Sequence, residues 1–233
     1  MFTDRLRGII RGLPLSGPSA TEGSQDPVES RSSPLSESQE MEDSYSRPSK
    51  GLEQFFTSIK GEAGLSILDL AGVTQSNVNF ITSLGHRLYS EDFLRSLRES
   101  FPGLNDQSNP ALVDRFLNQN LVYEKESLDG VLIWDSLEHM STPLLVATLG
   151  RLTKIVKPRG YLLAFFHAQD KVSEIPYYSF RIQDPKTLLI GRHGKRQLAQ
   201  TFNNRNLEKL FDQFESLKFF LTRERLREVI IRR

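Results

Sequence analysis

The reading of this chain turns on residues 65–77, LSILDLAGVTQSN. Leu65, Ile67, Leu68 and Leu70 make a run too apolar to face water on either side, as a strand inside a parallel sheet must be. The run carries an acid, Asp69, and passes into a small-residue turn of Ala71, Gly72 and Val73, after which Val78, Ile81 and Leu84 recur at helical spacing. A strand, a tight turn and a helix in that order bring backbone N–H groups and a helix N-terminus to the head of an open sheet, where nucleotide-like cofactors are held. The stretch therefore predicts a cofactor-binding α/β domain.

Working outward, helix and strand patterns alternate. Leu52, Phe55, Phe56 and Ile59 predict a leading helix, residues 86–90 a second strand, and Phe93, Leu94, Leu97 and Phe101 the helix that follows. Residues 110–127 admit two readings: Asn109 and Pro110 suit a helix cap and first helical position, while DRFLNQN would serve as a third strand. Residues 130–134 are the fourth strand. Thr142 and Pro143 open a helix with Leu145, Leu149, Leu152 and Val156 inward, and residues 161–166 are the fifth strand. Within residues 168–200, YYSFRI and TLLI flank the turn signal QDPK, which predicts an inserted hairpin followed by a basic loop, GRHGKRQ. After a capped helix with Leu207, Leu210, Phe211 and Phe214 inward, SLKFFLT and LREVIIRR lie so close in sequence that they must pair antiparallel.

A largely parallel sheet that finishes in an antiparallel hairpin resembles the class I methyltransferases that use S-adenosylmethionine. The resemblance spans residues 51–233. ILDLAGVTQ stands where that family has its hhhDhGxGxG turn, and SED at 90–92 stands near the acid ending its second strand. LDGVLIWDSLEHM looks like its fourth-strand motif, and LGRLTKIVKPRGYLLAFF like its helix, KPGG turn and fifth strand. It implies an α/β, Rossmann-like methyltransferase fold: a mostly parallel seven-stranded sheet with a C-terminal antiparallel hairpin. The chain departs from the family in the glycine turn. With Asp69 on the family's acid, Ala71, Val73 and Gln75 occupy the glycine positions, and Gly72 falls where the family varies. A β-branched Val is the least suited of these to a positive φ or a close approach to a ligand.

On this resemblance Asp69, Ala71, Gly72 and Val73 form the cofactor turn, with Asp69 either orienting the cofactor's amino group or ordering the turn. Glu91 is the candidate clamp for the ribose hydroxyls, because an ionised carboxylate accepts from both, with Asp92 as the second candidate. One of the two could instead cap the next helix. Trp134, and Asn118 or Asn120 if their segment is strand and loop, extend the cofactor set. Asp135 and His139 follow strand four, where donor and acceptor meet in the family, and are the candidate catalytic residues. Methyl transfer from a sulfonium is an in-line displacement governed by alignment, so a base such as His139 helps only when the acceptor carries a proton at neutral pH. Read structurally, the same histidine is a helix-start residue with local hydrogen bonds. His167 is a second candidate base. Arg192, Lys195 and Arg196 either hold an anionic acceptor or are solvated.

Composition bounds the rest. A hydrophobic content of 38% over 233 residues supports one good core rather than two. A formal charge of +1 provides no bulk attraction to nucleic acid or membrane, and the absence of cysteine excludes disulfides and thiolate chemistry. The sequence shows no metal-ligand cluster, P-loop, repeat or bilayer-spanning apolar run, and MFTDRLRGIIRGLPL lacks the long apolar segment of a secretory signal, so the chain is read as cytoplasmic. Residues 16–50 are rich in Ser, Glu and Pro and poor in aliphatics, which predicts a disordered tail, 1–50, ahead of a methyltransferase-like domain, 51–233. Phe2, Leu6, Ile9, Ile10 and Leu13 interleave with Arg5, Arg7 and Arg11 in a short basic amphipathic stretch at its start. The functional expectation is an S-adenosylmethionine-dependent methyltransferase with a small-molecule acceptor. The alternative is a non-catalytic methyltransferase-like binding protein: the eroded turn favours it, while the acid at strand two and the strand-four motif favour the enzyme.

Overall fold

The computed structural model describes residues 44–168, 174–222 and 226–233. The expectations for the tail and its basic start, residues 1–43, lie outside the described residues. From there the chain runs β1 (Ser44–Pro48), α1 (Lys50–Ser58), β2 (Ser66–Asp69), α2 (Gln75–Ser83), β3 (Arg87–Ser90) and α3 (Phe93–Ser100). A 3-10 turn at Leu104–Ser108 leads to α4 (Pro110–Gln119), β4 (Leu128–Trp134) and a second 3-10 turn, Ser136–His139. Then come α5 (Thr142–Ile155), β5 (Val156–His167), the hairpin β6 (Glu174–Asp184) and β7 (Thr187–Gln197), α6 (Asn204–Leu210), β8 (Ser216–Leu221) and β9 (Leu226–Arg232).

Among the described residues the main sheet has six strands in the order β3-β2-β4-β5-β9-β8, with β3, β2, β4 and β5 parallel and β9 antiparallel to both its neighbours. The expected seventh strand does not form. Its residues are α4 instead: the Asn109 side chain accepts from Ala111 N, Pro110 opens the first turn, and Val113, Phe116 and Leu117 fall on one buried face. A helix buries these three together, whereas alternation along a strand would put Phe116 and Leu117 on opposite sides. The predicted terminal hairpin is present as β8 and β9.

Alternation along the strands divides the core in two. Leu68, Val131, Ile133, Leu162, Phe166 and Val229 pack beneath α3, α4, α5 and α6. Ile67, Leu132, Trp134, Leu163 and Phe165 face α1, Ile81 of α2 and the inserted hairpin. On this second side Gly130 has a packing reason to be glycine, since a Cβ there would lie 2.6 Å from the Phe55 ring. Helix α1 thus lies on β5 and β9 and reaches β4 through the Phe55 ring.

The inserted hairpin is longer than its sequence signal. GRHGKRQ, expected as a loop, continues β7, and β1 pairs antiparallel with β7 to make a three-stranded sheet, β1-β7-β6. The domain edge moves with it: residues 44–50, expected in the tail, are a strand, a cap and a helix start. Buried Arg47 ion-pairs with buried Glu228, which also accepts from Ser49 Oγ at 2.9 Å and Gly51 N at 2.6 Å. Ser49 Oγ in turn accepts from Leu52 N, capping α1. Arg47 and Glu228 are 181 residues apart in sequence, so a local reading saw only a polar stretch with little to bury.

Candidate functional site

The eroded glycine turn follows β2. Its one glycine, Gly72, has φ +86°, the left-handed conformation that glycine adopts freely. A Cβ at Gly72 would meet Asp92 at 3.4 Å, because turn and acid loop are zipped together: Gly72 N donates to Glu91 O at 3.0 Å and Ala71 pairs with Asp92. Val73, in a family glycine position, is 76% exposed. Thr74 caps α2 through Asn77 N.

The two acids after β3 already have protein partners. Glu91 Oε2 accepts from Leu121 N at 3.3 Å, and Glu91 bonds the Tyr123 phenol, whose pKa is pushed up by burial and by that carboxylate. Asp92 caps α3 by accepting from Arg95 N at 3.1 Å, one of the two roles foreseen for the pair. Asn120 ends α4 with its amide donating to Phe116 O, and Asn118 Oδ1 accepts from Arg151. Asn118 is on the helix and Asn120 is its C-cap, so the segment is a helix and loop rather than the strand and loop on which a role at the adenine edge depended.

Asp69 is wholly buried and accepts three hydrogen bonds, from Ala71 N at 3.0 Å, Asn77 Nδ2 at 2.7 Å and Trp134 Nε1 at 2.6 Å. Burial raises its pKa, and the three bonds act in the opposite sense. Trp134 ends β4 at φ +57°, uncommon for a residue with a Cβ, and its ring stacks on Phe180 of β6 at 4.9 Å, 4° from parallel. Strand β6 also covers the start of α2: Asn77 Nδ2 donates to Phe180 O, Ile182 N donates to Asn77 Oδ1, and Ser76 Oγ donates to Ile182 O. The helix end that would face a cofactor carboxylate meets this chain's own backbone. Between Ala71, Asp92, Trp134, Asp135, Tyr178 and Phe180 about 10 Å³ of space remains, room for roughly one water. Cofactor pockets run to roughly 300 Å³ or more, so the residues present do not fit S-adenosylmethionine.

Beside this filled cleft lies a buried polar cluster. Asp135 is 2% exposed; burial raises its carboxyl pKa, with His167 and Arg196 nearby acting the other way. Glu138 accepts from His167 N at 3.0 Å and pairs with His167 Nδ1 at 2.6 Å, its pKa raised by burial. The His167 ring stacks on Tyr178, and its Nε2 is buried without a hydrogen-bond partner among the described residues. His139 Nδ1 lies 3.2 Å from Gln197 O, and burial, then the Arg196 charge, holds its pKa down to about 3. A carbonyl can only accept, so Nδ1 carries the proton and the imidazole is neutral. No hydrogen bond joins Asp135 to His139 among the described residues. The oriented imidazole is His167, held by Glu138, a partnership absent from the sequence reading. Asn77 and Phe180 were also missed. Their signals were a polar residue inside an apolar helical pattern and the aromatic run Tyr177, Tyr178, Phe180. Among the described residues there is no group of three or more potential metal ligands, and no helix is long and apolar enough to cross a membrane.

No family model matches the chain, and no curated protein does. The chain has partial likenesses among solved structures. The 1,6-didemethyltoxoflavin-N1-methyltransferase of Burkholderia thailandensis, solved with 1,6-didemethyltoxoflavin and S-adenosylhomocysteine, is 12% identical, with a TM-score of 0.46 over 78% of this chain and 76% of that one. A Pyrococcus horikoshii protein is 15% identical, with a TM-score of 0.48 over 78% of this chain and 87% of that one. A Methanosarcina mazei S-adenosylmethionine-dependent methyltransferase is 15% identical, with a TM-score of 0.42 over 74% and 93%. The fold assignment rests on this chain's own topology, a parallel sheet closed by the antiparallel pair β8 and β9.

Proposed function

We propose that this chain is a non-catalytic binding protein of methyltransferase-like fold, its cofactor cleft filled by its own side chains. The observation that carries this reading is the Trp134–Phe180 stack over Asp69, which leaves about 10 Å³ in the cleft. Every group the family would turn toward the cofactor has an internal partner here: Asp69 holds Trp134, Glu91 holds Leu121 and Tyr123, Asp92 caps α3, and β6 covers the start of α2. Calorimetry with S-adenosylmethionine and S-adenosylhomocysteine tests it. No saturable heat is expected at cofactor concentrations on the order of 1 mM, which sets the binding free energy weaker than about −4 kcal/mol. Saturation in the micromolar range would overturn the proposal.

A second reading, a methyltransferase with a small-molecule acceptor in which the hairpin of β6 and β7 moves aside, is favoured by one observation. His167 is oriented by Glu138 while its Nε2 stays buried and unpartnered, an arrangement that suits a general base. Phe180→Ala separates the two. If the hairpin only gates an intact pocket, removing the ring that stacks on Trp134 strengthens cofactor binding. If the cleft is structural, the variant loses stability and still binds nothing.

A further inference from the structure

A different cavity lies on the other side of the 3-10 turn that follows β4, between α3, the 3-10 turn Leu104–Ser108 and the end of β7. It is open to solvent on one side, has a volume of about 180 Å³ and an apolar wall of Leu94, Leu97, Phe101 and Leu104. Two guanidinium groups, Arg98 and Arg196, share its lining, and among the described residues no carboxylate does. Burial, and to a smaller extent the charge of Arg98, disfavours the charged form of Arg196, while Asp135 and Tyr177 act in the opposite sense. The plane of Arg196 is held by the Tyr177 ring, 4.1 Å from its Cζ, and its Nη1 is buried without a hydrogen-bond partner among the described residues. A buried guanidinium N–H left unpaired is costly. His139, also in the lining, is neutral and adds no charge.

We infer that this cavity is a binding site for a small monocarboxylate with an apolar body, its carboxylate held by Arg196 and Arg98 and its body seated on Leu94, Leu97, Phe101 and Leu104. A carboxylate supplies an acceptor for the unpaired Arg196 Nη1, in the geometry that a guanidinium fork matches. The size fits: an apolar cavity of roughly 150 Å³ holds one benzene ring. The site adjoins the filled cleft, with Leu94 lining both, but neither Arg98 nor Arg196 lines that cleft, so the inference does not depend on whether it admits a cofactor.

Benzoate is the probe, titrated into the full chain and followed by calorimetry and by backbone amide shifts, with benzyl alcohol as the uncharged analogue and acetate as the bare anion. Expected is saturable benzoate binding with a Kd on the order of 1 mM or tighter, shifts centred on Leu104 and Leu198, and benzyl alcohol and acetate each at least about tenfold weaker. Arg98→Gln should weaken benzoate about tenfold, the weight of one charge-assisted hydrogen bond, and Arg196→Gln at least as much. Arg98 is exposed, so its variant keeps the fold and the test stands even if Arg196→Gln unfolds. The inference is overturned if benzoate shows no saturation, if benzyl alcohol binds equally well, or if Arg98→Gln binds benzoate like the parent chain.

Discussion

Trp134 holds a backbone conformation that suits glycine, and the surroundings explain why the indole remains. Its Nε1–H supplies one of three hydrogen bonds to a wholly buried carboxyl, and its ring is clamped between Phe180 in stacked and Phe165 in edge geometry. Such strain persists only where neighbouring contacts over-determine it. Trp134→Phe keeps an aromatic ring in the clamp and removes the hydrogen bond, so denaturant unfolding should show a loss of about 1–3 kcal/mol, the usual cost of leaving a buried polar group short of a partner. A variant as stable as the parent would show that Ala71 N and Asn77 suffice for Asp69. The same residue illustrates a limit of local reading. Its position at the end of β4 was legible, but its role was assigned to a cofactor because nothing nearby in sequence announced Phe180.

Strand β1 shows how an element can belong to a domain without being hydrophobic. Ser44–Pro48 has Tyr45 as its one aromatic contact with the core, and what fixes it besides is backbone pairing with β7 and one buried charge pair across the molecule. A fragment beginning at residue 51 removes Arg47 and Ser49 and leaves Glu228 buried with Gly51 N as its remaining partner among those described. Breaking a buried pair from one side costs about 3–5 kcal/mol, so that fragment should melt well below one beginning at residue 44. Equal melting temperatures for the two fragments would show that β1 is dispensable.

For the whole molecule, buried titratable groups set the dependence of stability on pH. Burial raises the carboxyl pKa values of Asp69, Asp135 and Glu138, so their contribution is full below the unfolded value and is lost as pH rises through the folded ones. Burial lowers the histidines. His139, held down to about 3, contributes stability that is full above 6.5 and is lost as pH falls toward 3, and His86 is shifted in the same direction. Acidification therefore sets histidine losses against carboxylate gains, and a shallow acid limb is expected instead of a steep one. His139→Gln, which retains a donor for Gln197 O, should remove a slope of about 1.4 kcal/mol per pH unit between those two values, measured by denaturation at several pH values. Parallel profiles for parent and variant would mean that His139 titrates normally.

The sequence by itself determined the elements whose signals are local: the apolar strand ending in Asp69, the Pro185 hairpin turn, and the paired strands after Phe214 that orient the last part of the sheet. Periodicity and capping act over a few residues, so they can be read without knowing what the segment touches. Only the tertiary structure decided the strand count, the ordering of residues 44–50, and above all the state of the cleft. Those depend on which face of α4 is buried, on Arg47 meeting Glu228, and on Phe180 of the inserted hairpin reaching Trp134. Each is a long-range contact whose two halves carry ordinary local patterns, and a local pattern constrains the conformation of a segment without naming its partner.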